Sequence, residues 1–120
     1  MSGYKLTKTE SKFADLIWQN EPITSGDLTK LCEAEMKWKK STTYTVLKKL
    51  CEKGIFQNEN ATVTSCFKKE EFYAKQSRYF VEDFFGGSLP KFLTAFIGGN
   101  KLSSKQAEAL KKLIDEYKED

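Results

Sequence analysis

The chain has 120 residues, 39% hydrophobic and 31% charged, with two prolines and seven glycines, the composition of a folded, helix-rich domain rather than a disordered or low-complexity segment. It has no histidine, which excludes Ser-His and Cys-His nucleophilic catalysis and every His-ligated zinc site. The formal net charge is only +3, too small to name a partner by itself, so its distribution along the chain matters more.

Thr7 and Glu10 have the spacing of a capping box, in which each side chain accepts from the other's amide, and they predict a helix start. Phe13, Leu16, Ile17 and Asn20 then recur on one helical face, with Ala14 and Trp18 at its edge, until Glu21-Pro22 ends the segment. Thr24 predicts a second cap, with Asp27 near the positive helix end, and the helix runs through Leu28, Leu31 and Cys32 to about Glu35.

A third helix follows Trp38. Thr43, Val46, Leu47, Leu50 and Cys51 form its apolar stripe, and Gly54 is placed to stop it. The opposite face carries Ser41, Thr45, Lys48 and Glu52, flanked by Thr42 and Lys49. From Met36 to Gly54 six lysines oppose one glutamate, a net of +5 over 19 residues. Short hydroxyl side chains with lysines beyond them suit a helix in a DNA major groove, close to base edges and within reach of phosphates.

Residues Ile55 to Phe67 turn β-branched and aromatic around Asn58-Glu59-Asn60, which predicts a hairpin. Three short helices, the third basic, followed by a hairpin is the order of a winged helix-turn-helix. From Lys69 the pattern is helical again: Phe72, Tyr79, Phe80 and Phe84 in a first helix ending at Gly86-Gly87, then Leu89 to Ile97 capped by Ser88, then a last helix with a capping box at Ser103 and Gln106 and with Leu110, Leu113 and Ile114 inward. So many aromatics on three helices predict a second chain to cover them, and a two-fold dimer is the commonest arrangement.

Laid out in this way, the chain resembles the BlaI/MecI/CopY family of bacterial winged-helix repressors. The resemblance rests on Phe13-Ala-Asp-Leu-Ile-Trp18, Trp38, the Thr42, Thr45, Leu50, Lys53-Gly54 skeleton, Phe84-Phe85-Gly86-Gly87-Ser88 and Leu102-Ser103. It implies a mainly α fold with a small β-hairpin, in which residues 1–68 form the DNA-binding domain and residues 69–120 a helical dimerisation domain. It also implies a homodimer on a palindromic double-stranded DNA operator, with a membrane sensor-protease upstream in one branch. Ala95-Phe96 aligns with the bond cut in that branch, with alanine where the family has asparagine. The tail lacks the paired cysteine motifs of the copper-responsive branch. Where the family opens the third helix with Ser-Pro, this chain has Lys39-Lys40, and Ser41 is expected to take over as cap, starting the helix up to two residues later.

The expected site residues are therefore Lys39, Lys40, Lys48 and Lys49 on phosphates and Ser41, Thr42 and Thr45 near base edges. Phe72, Phe80, Phe84, Phe85, Phe92, Phe96, Leu110 and Leu113 are expected at a core and dimer interface. No catalytic residue, metal site or cofactor is expected. Cys32, Cys51 and Cys66 lack any C-x-x-C spacing, and no apolar run reaches the ~20 residues that span a bilayer, so a soluble cytoplasmic protein without membrane insertion is expected. The competing reading is a ligand-sensing or protein-interaction module that uses the aromatic C-terminal half, with the winged helix as scaffold.

Overall fold

Residues 5–119 are described in a computed structural model of the chain. Met1 to Tyr4, the start of the segment expected to hold no apolar leader, and Asp120 lie outside them. The elements are α1 (Lys8–Asn20), β1 (Ile23–Thr24), α2 (Ser25–Met36), α3 (Lys40–Glu52), β2 (Phe56–Glu59), β3 (Thr62–Ser65), α4 (Lys69–Phe85), α5 (Leu89–Ile97) and α6 (Ser104–Tyr117). The protein is mainly helical with one small antiparallel sheet, the architecture of a winged helix.

The local signals for helix starts are realised as hydrogen bonds. Thr7 Oγ1 accepts from the Glu10 amide at 3.0 Å, and Glu10 Oε1 accepts from the Thr7 amide at 2.9 Å. Thr24 Oγ1 caps α2 through the Asp27 amide, Ser88 caps α5 through the Lys91 amide, and Ser103 with Gln106 completes a second capping box on α6. Each arrangement satisfies amides that a helix start leaves without an intrahelical partner.

Helix α3 departs from expectation. It begins at Lys40, with Lys39 as an N-cap residue whose side chain makes no capping bond, and Ser41 lies inside the first turn. The start is set from outside the helix. Lys37 takes the left-handed conformation (φ 57°) that ends α2, and its amide donates to the Cys32 carbonyl. Trp38 then packs on Phe13 with ring centroids 5.3 Å apart. The chain therefore enters α3 from a fixed point, with Thr43, Leu47 and Leu50 turned into the core.

The hairpin turn also lies later than the Asn-Glu-Asn signal suggested. Asn58 and Glu59 pair within β2, and the two-residue turn is Asn60-Ala61, both at positive φ. That geometry matches the right-handed twist of the flanking strands. Strand β1, not foreseen from the sequence, adds to the other side of β3 in the order β1-β3-β2, with Ile23 opposite Val63 and Thr24 opposite Thr62.

The core of this first unit holds Phe13, Ala14, Ile17, Leu28, Cys32, Leu47, Leu50, Ile55, Phe56, Val63 and Phe72. Trp18 joins its parts. Its ring lies 5.2 Å from Phe56 in β2 and 5.6 Å from Phe72 in α4, and its Nε1 donates to the Phe67 carbonyl at 2.9 Å. Lys69 adds an ion pair to Asp15 at 2.9 Å. The first turns of α4 thus belong to the winged helix, and the chain divides into compact units at Phe80 and Val81, within α4, twelve residues beyond the expected 68/69 boundary.

The second unit has a different character. Gly86 and Gly87, both at positive φ, end α4, and Gly98 in the left-handed conformation ends α5. Phe85 meets Phe92 edge-on at 5.6 Å, and Phe92 meets Phe96 at 5.8 Å. Among its described residues none is buried. Phe72→Ala, which empties a fully buried site of the first unit, is expected to lower the unfolding free energy by about 3–5 kcal/mol in urea titration. A loss under about 1 kcal/mol would contradict its placement in that core.

Candidate nucleic-acid interface

The outer face of α3 is built by exclusion. Burial of Thr43, Leu47 and Leu50 turns Ser41, Thr42, Thr45 and Lys48 to solvent, about half a helical turn away. All four are exposed, as are Lys39 and Lys40 at the start of the helix. Thr45 Oγ1 donates back to the Ser41 carbonyl at 2.9 Å, which uses its proton and leaves its oxygen as an acceptor beside its methyl group. Among the described residues Lys48 makes no ion pair, so its ammonium is available to an anion.

The lysines of the +5 strip are not equivalent. Lys49 Nζ lies 2.7 Å from Glu10 Oε2 on α1, and Lys53 Nζ donates to the Lys5 carbonyl at 3.1 Å. The Lys49 ammonium, followed by the bond from the Thr7 amide, holds the Glu10 carboxyl below its ordinary value of 4.5 against the opposing effect of burial. Three of the expected phosphate contacts, Lys39, Lys40 and Lys48, are thus open, and the fourth is engaged within the chain.

Beside α3, sequence reading missed a polar seam. Tyr44 is exposed, with its hydroxyl 3.5 Å from Ser25 Oγ at the start of α2, and the Ser25 amide donates to the Ala61 carbonyl in the wing turn at 2.8 Å. The base of the wing is fixed by Glu21, whose carboxylate accepts from both the amide and the hydroxyl of Ser65 at 2.7–2.9 Å. Gln57, Asn58 and Asn60 are exposed on the wing, which carries no lysine in either strand and presents amides to a partner. Among sequence signals, only the Thr24 cap pointed to this seam.

The cysteines are free. Burial pushes the Cys32 thiol up, and burial with the neighbouring Cys66 and Glu52 does the same for Cys51, so both are poor nucleophiles. Among the described residues no group of three or more His, Cys, Asp or Glu could hold a metal ion, and no helix is long and apolar enough to cross a membrane.

The residues expected at a dimer interface are dispersed. Phe72 is a correction: it is fully buried in the core of the first unit, where Trp18 and Tyr73 cover it, so it has no surface to give a second chain. Phe80, also in the first unit, is exposed. In the second unit Phe85, Phe92 and Leu110 are half-buried, while Phe84 (66% exposed), Phe96 (73%) and Leu113 lie open, joined by Ile114 and Tyr117. Ala95 and Phe96 lie in the last turn of α5, both exposed.

A family model described as penicillinase repressor matches residues 6–116. The chain is 20% identical over 118 residues to the penicillinase repressor of Bacillus licheniformis, an alignment covering 95% of this chain and 92% of that protein.

A carboxyl held low when folded contributes stability that is present above its unfolded pKa and is lost as pH falls through the folded value. Unfolding free energy is therefore expected to fall more steeply below pH 4.5 in the wild type than in Glu10→Gln, by urea titration at a series of pH values. Parallel profiles would show that the Glu10–Lys49 pair adds nothing.

Proposed function

The chain belongs to the penicillinase repressor family, and we propose that it represses transcription by binding a palindromic operator as a homodimer, with α3 in the major groove of each half-site. Members of this family are transcriptional regulators, and the protein is not an enzyme.

The observation that carries the reading is the outer face of α3. Ser41, Thr42 and Thr45 are short enough to let the helix backbone approach base edges, and their hydroxyls offer the adaptable donors and acceptors that base readout uses. Lys39, Lys40 and Lys48 border this patch and supply the charge that fixes the helix between phosphate backbones. The wing, tied to α2 and α1 through Ala61 and Ser65, extends the footprint beyond the groove.

A second copy of the chain answers a different need. With no described residue of the second unit buried, its three helical segments leave Phe84, Phe96, Leu113, Ile114 and Tyr117 in water, an apolar exposure that monomers rarely carry. A two-fold pairing of these faces covers them and presents α3 twice, which is why the operator is expected to be palindromic, with half-sites about 34–36 Å apart or a multiple of that.

Salt titration on a duplex selected by the wild-type protein from a random-sequence pool tests the contact. Lys48→Ala is expected to flatten the log–log dependence of affinity on salt by about 0.9 per protomer. An unchanged slope would remove α3 from the interface. In sedimentation the wild type is expected as a dimer at micromolar concentration and Phe96→Asp as a monomer; a wild-type monomer would remove the dimer.

A further inference from the structure

Lysines 48 and 49 look alike in sequence but are used differently. They are neighbours on α3 and so point about 100° apart. Lys48 faces outward with the hydroxyl patch. Lys49 reaches back to Glu10 in the first turn of α1, and Lys53, the residue that caps the end of α3, donates to the Lys5 carbonyl in the segment leading into α1, so this side of α3 faces the start of α1.

The acceptor for Lys49 is a built site. Glu10 is the N3 residue of the α1 capping box, and its side chain is only 9% exposed. One carboxylate oxygen is fixed by the Thr7 amide at 2.9 Å and the other lies 2.7 Å from Lys49 Nζ. To serve a phosphate, the half-exposed Lys49 ammonium would have to leave this largely buried carboxylate with the Thr7 amide as its remaining partner, a loss that the new contact would have to offset.

We propose that Lys49 is a positioning residue for DNA binding: through Glu10 it sets the seat of α3 against α1, and it neutralises no phosphate. The proposal rests on the reading of α3 as the DNA-facing helix and refines it, dividing the basic strip into open lysines (Lys37, Lys39, Lys40 and Lys48) and lysines engaged within the chain (Lys49 and Lys53). It also gives Glu10 a role beyond capping, since the carboxylate withholds one positive charge from the DNA.

Affinity and salt slope, measured together on the pool-selected duplex, separate the two uses. Lys49→Ala is expected to weaken binding at fixed salt several-fold, with the wild-type slope retained, and Lys49→Arg, which keeps the charge on Glu10, to restore affinity. Glu10→Gln releases Lys49 and is expected to weaken binding with a slope equal to the wild type or steeper by up to about 0.9 per protomer. A Lys49→Ala slope flattened as in Lys48→Ala would overturn the proposal, and so would Lys49→Ala binding indistinguishable from wild type. If Lys49→Ala loses its helical circular dichroism, Glu10→Gln decides: weaker binding without flattening supports the proposal, and unchanged affinity overturns it. Failure of Lys48→Ala to change the slope would instead overturn the DNA-facing reading of α3 itself.

Discussion

The position of the Trp18 indole is the constraint on which the first unit depends. It touches Phe56 in the wing and Phe72 and Tyr73 in α4, and its one polar group is satisfied by the Phe67 carbonyl, so α1 is fixed at once to the wing and to the segment that follows it. An aromatic with a single donor suits such a junction, because most of its surface seeks burial while the N–H selects one orientation. On the other side of α1, Phe13 receives Trp38 and thereby fixes the entry to α3. The two tryptophans, partly buried and packed against the core, set the positions of the wing and of α3.

On this frame, the outer face of α3 is what the core leaves over. Its small hydroxyl residues are mediocre helix formers, and the helix has no side-chain cap at its start. Tertiary contacts therefore hold it: the burial of Thr43, Leu47 and Leu50, and the Lys49–Glu10 pair. Stability resides on one side of the helix, and the side proposed to meet DNA is free to carry residues chosen for recognition.

What could be read from the sequence follows the range of the interaction. Caps at Thr7, Thr24, Ser88 and Ser103 were legible because the bonding partner lies three residues away. The inward stripe of α3 was legible from its period. The start of α3 was not, since Lys37 and Trp38 set it through contacts with Cys32 and Phe13. Strand β1 escaped notice because two residues carry no periodicity, and its pairing partner lies some forty residues away. Phe72 shares the spacing of the other C-terminal aromatics, and only its packing on Trp18 assigns it to the first unit. Likewise, nothing local distinguishes Lys49 from Lys48, because Glu10 lies 39 positions earlier.

The second unit poses the complementary problem, helices with good caps and an apolar face but no interior among the described residues. Its balance of six lysines against seven acidic residues and its exposed aromatics suit contact with protein, just as the excess positive charge of the first unit suits contact with DNA. That division of labour is tested most directly by backbone amide chemical-shift mapping of the full chain on addition of the pool-selected duplex. Shifts are expected at Ser41, Thr42, Thr45 and Lys48, with little change from Ala107 to Tyr117. Shifts confined to α5 and α6, with α3 unaffected, would contradict it.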